Sequence, residues 1–224
     1  MKEFPLIFSA PMIRAFLDGR KTQTRRIIKL PKWAIAGIVR SQPDGGIVVL
    51  RRSTGYDAEI APPARPGDLM WARETWRPNS GAFQSEAFEG EFGIDYRADG
   101  KTIWHDIEAL DLYPHGDKDV DARKWLPAHK PYDPWRPSIH MPKWASRIRR
   151  KVKAVRVERV QDISEEDARA EGTLAWCPAD TECLIEDAKD HFRMLWESIH
   201  GADAWDRNPW VWVYEFEAED AKHV

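Results

Sequence analysis

Gly19-Arg20-Lys21-Thr22-Gln23-Thr24-Arg25-Arg26 places one lysine, two threonines and three arginines in eight consecutive residues. A solvated helix face has no need for so many hydroxyls and fixed cations together. A site for a polar, carbonyl-bearing or partly anionic ligand does. The residues before it set its local structure. Phe4 to Phe8 is a short apolar run suited to a buried strand. Ser9 is placed to cap a helix with Pro11 in its first turn, and Met12, Ile13, Phe16 and Leu17 recur at helical spacing. Gly19 stops that helix, because glycine tolerates the left-handed conformation at this position. Lys21 to Arg26 is therefore expected to leave a helix end through a tight turn and enter a strand or loop. A rigid support of this kind displays reactive groups well.

Working outward, Ile27 to Pro63 reads as an insertion or hairpin, with a strand at Ile47-Val48-Val49-Leu50 after the turn Pro43-Asp44-Gly45-Gly46. The Pro/Gly-rich connector Pro62 to Asp68 leads into a strand over Leu69 to Trp76. In that strand Glu74 shares a face with Met70, Ala72 and Trp76. An acid on an apolar face is either a site residue or the buried partner of an arginine. Residues 77 to 135, rich in Gly, Asp, His and Pro, read as a long loop region. Tyr96, Trp104, Tyr113, Trp125, Tyr132 and Trp135 are available there as a ligand lid.

Arg147 to Val160 alternates basic and apolar residues, as a half-exposed strand does. Its cations (Arg147, Arg149, Arg150, Lys151, Lys153, Arg156, Arg159) form either a solvated face or a phosphate track. Ser164 caps a short acidic helix that Gly172 ends. A second helix from about Leu184 to His200 carries Phe192, Leu195, Trp196 and Ile199 on one face, and Trp210 to Phe216 is a closing strand. Separated strands with a few short helices, and no glycine-rich phosphate loop, indicate an α+β fold. A small mixed barrel fits it better than a βαβ sheet.

Composition narrows the function classes. The 224 residues are 42% hydrophobic, enough for a sizeable core, and carry a net charge of -3. A protein that grips long nucleic acid needs a basic excess to neutralise phosphates, so a small ligand is favoured. No run approaches the roughly 20 apolar residues of a membrane helix. The N-terminal residues lack a signal peptide's apolar region, and a cytoplasmic location is expected. Cys177 and Cys183 do not make a disulfide framework or a zinc knuckle, and no His/Cys constellation calls for a metal. Of the twelve tryptophans, most are expected in the core. Trp71, Trp76, Trp135 and Trp144 are candidates to stack on a flat base.

In order along the chain stand Gly19-Arg20-Lys21-Thr22-x-Thr24-x-Arg26, Pro66-Gly67-Asp68, Ile163-Ser164-Glu165-x-x-Ala168-x-x-Glu171 and the apolar strand Trp210 to Phe216. This series resembles the ASCH domain, a PUA-like β-barrel family, over about half the chain. Trp71-x-Arg73-Glu74-x-Trp76, Pro137 to Pro142 and Asn208-Pro209-Trp210-Val211 resemble its longer phage and prophage members. The resemblance implies one ASCH-like domain over residues 1–224, with insertions at about 31–62 and 77–135 and flanking short helices. The family's best-defined activity is hydrolysis of N4-acetylcytidine. That activity depends on a lysine, a threonine and a glutamate matching Lys21, Thr24 and Glu171.

The expectation is thus a metal-independent amidohydrolase acting on a nucleoside or nucleobase, a non-peptide C–N amide bond, without cofactor. Thr24 would be the nucleophile and Lys21 its base, with Glu171 orienting the lysine or shuttling a proton. Direct attack by water with Lys21 or Glu171 as base fits equally. Arg20, Arg26, Glu74, Trp71 and Trp76 are the candidate substrate contacts. Arg25 joins Arg20 and Arg26 as a cation able to lower the lysine's pKa. The chain's length and aromatic-rich insertion depart from the small enzymes and put the substrate range in question. A module that binds short single-stranded RNA or modified bases without catalysis, or a ribonuclease, is the alternative.

Overall fold

The computed structural model describes residues 1–30, 34–41, 48–52, 57–79, 91–106, 134–173 and 187–217. Eleven strands and three α-helices lie among them: β1 (Glu3–Ile7), α1 (Ala10–Leu17), β2 (Gln23–Ile27), β3 (Ala34–Ser41), β4 (Val48–Arg52), β5 (Asp57–Ile60), β6 (Leu69–Arg73), β7 (Trp76–Asn79), β8 (Glu91–Tyr96), β9 (Thr102–Asp106), β10 (Arg149–Arg159), α2 (Glu165–Ala170), α3 (Ala188–His200) and β11 (Trp210–Phe216). The fold is α+β, mostly strand, with open sheets of order β1-β6-β10-β11-β2, β3-β4-β5 and β7-β8-β9. The chain divides into two compact units. The first comprises Met1–Phe4, Ala15–Met70 and Arg149–Val224, and the second Pro5–Arg14 and Trp71–Ile148.

In the first unit β11 pairs antiparallel with β10 and with β2, setting Tyr214 opposite Val155 and Thr24, and Trp212 opposite Val157 and Arg26. Because side chains alternate along a strand, Thr24, Arg26, Trp212, Tyr214 and Phe216 share one face of this sheet. Gln23, Arg25, Val211, Val213 and Glu215 take the other. Phe16, at the end of α1, packs on Phe216 with ring centroids 5.9 Å apart. The opposite face is covered by α2 and α3, where Val211 and Val213 meet Ile163, Ala168, Phe192 and Trp196.

The short helices begin and end where local chemistry dictates. Ser164 accepts from the Asp167 N–H to cap α2, and Asp187 accepts from the Lys189 N–H to cap α3. Gly19, Gly172 and Gly201 all follow helices with positive φ. The apolar stripe of α3 is Ala188, His191, Phe192, Leu195 and Trp196. Ile199, expected on it, is 57% exposed; His200 instead brings its ring to within 4.3 Å of Trp196. The described part of α3 starts after its Asp187 cap, and Leu184 lies outside the described residues, as do Cys177 and Cys183.

The second unit corrects two expectations. The single strand over Leu69 to Trp76 is broken at Glu74 and Thr75: β6 ends at Arg73, and β7 starts a different sheet. Met70, Trp71 and Ala72 are all buried, so no alternation marks an outward face. The region read as loop contains an antiparallel meander, β7-β8-β9, with Trp76 opposite Tyr96 and Ile94 opposite Ile103. Gly93 hid this sheet from sequence patterning, yet the sheet requires it. A Cβ there would stand 2.9 Å from the Asn79 Cβ and 3.0 Å from the Trp104 ring. Asp95 hid it too. Its carboxylate accepts from Thr102 at 2.7 Å, Asn79 at 2.8 Å and Arg77 at 2.9 Å, so an acid is satisfied mid-strand. Trp76, Ile94, Tyr96, Met141 and Ala145 form this unit's core. Of the proposed lid aromatics, Tyr113, Trp125 and Tyr132 lie outside the described residues.

Candidate active site

Lys21 sits two residues before β2 with 3% of its surface exposed. Its backbone N–H donates to the Ala15 carbonyl at 3.0 Å, which folds the chain tightly after α1. The end of α2 docks on the same segment, the Thr22 N–H donating to the Ala170 carbonyl at 2.8 Å. This juxtaposition brings Glu171 to Lys21 although 150 positions separate them in sequence. Lys21 Nζ donates to Glu171 Oε2 at 2.7 Å and to the Glu171 carbonyl at 2.8 Å, and lies 5.6 Å from the centre of the Phe16 ring. Phe16 packs in turn on Phe216, which lies on the Thr24 face of the sheet.

Strand β2 is the edge of the five-stranded sheet, so Glu171 beside it is reached from both faces. Its second oxygen, Oε1, accepts from Arg25 Nη1 at 3.1 Å. Arg25 also donates to Glu158 at 2.8 Å and to Asp167 at 2.9 Å, and its guanidinium lies 5.7 Å from the Phe192 ring centre. Arg156 bonds Glu158, Asp167 and Glu215 beyond. The network thus interleaves cations and carboxylates, and each buried charge has an opposite neighbour, the condition for burying charge at all.

Burial pushes the Lys21 amine below its ordinary value of 10.5, and Arg26 and Arg25 push it further; the Glu171 carboxylate opposes them without prevailing. Arg26 is itself lowered by burial, while Glu171 and Tyr214 pull it up. Lys21, Arg25 and Arg26 therefore converge on a single carboxylate. A buried lysine in that position loses its proton more readily than a free one and can act as a base. Thr24, three residues after Lys21, is 3% exposed on β2.

Gly172 permits this arrangement. Its φ is +77°, and a Cβ there would lie 2.7 Å from the Ala15 Cβ and 3.1 Å from the Lys21 Cβ. Gly172→Ala is expected to cost about 1–3 kcal/mol from the left-handed backbone alone, with displacement of Lys21 in addition. A lowered urea midpoint, measured with the slope unchanged, checks this.

The other candidates are placed differently. Arg20 is exposed and paired with Asp18. Trp71 is buried, with the Arg73 guanidinium 4.7 Å from its ring centre. Trp76 is fully buried, edge-on to Trp144, with Arg136 over its face. Glu74 takes the second of its two roles: Arg147 donates to both its oxygens, at 2.9 and 3.0 Å. The same guanidinium holds Asp99 through two bonds at 2.9 and 3.0 Å and lies 4.1 Å from the Tyr96 ring centre. Two carboxylates hold Arg147 above the usual guanidinium range. Glu74→Gln is expected to destabilise the protein by about 3 kcal/mol, because it breaks a buried fork. Chemical denaturation monitored by tryptophan fluorescence measures it.

The basic strand also has internal partners. Arg159 donates to the Asn208 carbonyl and lies 4.2 Å from the Trp210 ring centre, Lys151 pairs with Glu217, and Arg156 belongs to the network above. Sequence reading grouped Arg25 with Arg20 and Arg26, and Arg147 with the strand cations; it did not identify either as a hub. For Arg25 a signal existed: alternation on β2 turns it away from Thr24 and Arg26, toward the acids of α2.

Among the described residues no group of three or more His, Cys, Asp or Glu side chains is placed to hold a metal ion. No helix among them is long and apolar enough to cross a membrane. Comparisons with protein-family models, curated proteins and solved structures find no match to this chain.

Proposed function

We propose that this chain is a cytoplasmic amidohydrolase of the ASCH type, with a PUA-like barrel as its core, that removes the acyl group from N4-acylated cytidine or cytosine. The observation that carries the reading is the buried 2.7 Å contact between Lys21 and Glu171. The family resemblance implied a role for each of these residues and left open whether Glu171 or Glu74 meets the lysine; they stand 150 positions apart. The lysine so held is a base with a lowered pKa.

In the proposed reaction Lys21, as the free amine, takes a proton from Thr24 Oγ1 or from a water molecule. The oxygen adds to the acyl carbon, and positive charge stabilises the resulting oxyanion; Arg26, on the Thr24 face, is assigned that charge. The Lys21 ammonium then returns the proton to N4 as the C–N bond breaks, releasing cytidine and leaving the acyl group on Thr24 or, after water attack, the carboxylic acid, which ionises in solution. If Thr24 attacks, a water molecule hydrolyses the acyl-threonine in a second, equivalent step. Glu171 keeps Lys21 oriented; with both oxygens engaged, it is suited to hold the base and not to replace it.

The chain itself supplies base, nucleophile and orienting carboxylate, so the reaction is proposed to need no metal. Incubating the protein with N4-acetylcytidine and EDTA should yield cytidine and acetate by chromatography. Absence of product from folded protein would count against the reading. Mass spectrometry of quenched reactions separates the two routes: a gain of one acetyl group on the Thr24 peptide marks threonine attack.

A further inference from the structure

Arg25 connects Glu171, at the end of α2, to Asp167 on that helix and to Glu158 on β10. Its guanidinium is almost completely buried, so these contacts act with little solvent screening. Glu171 faces Lys21 with one oxygen and Arg25 with the other. A carboxylate shared with a fixed cation neutralises an ammonium less than one devoted to it.

We propose that Arg25 is the positioning residue for the Lys21 base of the amidohydrolase reading above, on which this inference rests. By taking Oε1 of Glu171, it fixes the carboxylate's orientation and leaves Lys21 freer to give up its proton. The groups that face Lys21 are Glu171 from the end of α2, Arg25 and Arg26 from β2, and the Phe16 ring from α1. Behind them stand Asp167 on α2, Glu158 and Arg156 on β10, and Glu215 on β11. Removing the Arg25 charge leaves Glu171, Glu158 and Asp167 less compensated, so Lys21 must hold its proton more tightly. Removing Glu158 acts in the opposite sense, because Arg25 then bears more fully on Glu171 and Lys21.

The test reads Lys21 directly. In protein labelled with 13C-lysine, the Lys21 methylene signal next to the amine is assigned by its loss in Lys21→Arg and followed through pH by NMR. Arg25→Met is expected to raise the Lys21 titration by about one unit, Arg25→Lys by less, and Glu158→Gln to lower it. The acid limb of the rate profile with N4-acetylcytidine should move with it, so that the rate on that limb falls about tenfold in Arg25→Met and recovers at higher pH. A merely structural role would lower the plateau and leave the limb in place. If Arg25→Met does not fold, Arg25→Lys and Glu158→Gln decide through their opposite signs. A Lys21 titration that stays at the wild-type value in the folded variants, or moves the same way in both, overturns the proposal. The NMR result stands even if the wild type does not turn over N4-acetylcytidine, which would remove the reaction and not the coupling.

Discussion

Glu171→Gln is expected to lose both stability and activity. The carboxylate is 4% exposed and receives Lys21 on one oxygen and Arg25 on the other. Glutamine keeps the shape and removes the charge, leaving two buried cations without their shared partner. Breaking a buried ion pair from one side costs about 3–5 kcal/mol, a large part of the stability of an ordinary domain. Denaturant titration should show it as a lowered midpoint.

The kinetic effect has a distinctive sign. Glu171 is what raises the Lys21 amine against burial and the two guanidiniums, so its loss lowers the amine further. The free base then persists to lower pH, and the acid limb of the rate profile should move acidward. The plateau should fall by about a hundredfold because the base is no longer aimed. A plateau equal to wild type would mean that Glu171 does not position the base.

Lys21→Arg separates charge from proton transfer. Arginine preserves the cation facing Glu171, so much of the network's electrostatics survives, but its guanidinium stays protonated in proteins and cannot act as a base. Turnover of N4-acetylcytidine should fall by about a thousandfold or more, with a far smaller change in denaturant midpoint than Glu171→Gln produces. Loss of fold and activity together in Lys21→Arg, with Glu171→Gln folded and active, would reverse the roles assigned here.

The legible parts of the fold were those with chemistry local to the sequence. Ser164 and Gly172 bound α2, Gly19 ends the segment after α1, and the apolar run Trp210 to Phe216 forms β11. The break after Arg73 was not legible, since Glu74 there finds its partners far along the chain, its N–H donating to Met141 Sδ and its carboxylate accepting from Arg147, 73 positions beyond. The β7-β8-β9 meander was concealed by Gly93 and Asp95, which look like turn residues until Trp104 and Thr102 are seen across from them. At the site, Lys21 and Glu171 were each implied by the family resemblance, with Glu74 left open as the rival partner of the lysine. Their contact depends on α2 docking beside β2, and no local pattern states which carboxylate reaches the lysine. Arg25 was harder to assign. Its importance comes from standing on the face opposite Thr24, where three carboxylates from two other elements converge.

We propose that Lys21, held by Glu171, is the base of an N4-acylcytidine amidohydrolase. Cytidine release from N4-acetylcytidine, measured side by side for wild type and Lys21→Arg in EDTA, tests it most directly. The account requires cytidine and acetate in equal amounts from the wild type and a rate about a thousandfold lower from the folded variant. No release by the wild type, or an equal rate from Lys21→Arg, would contradict it.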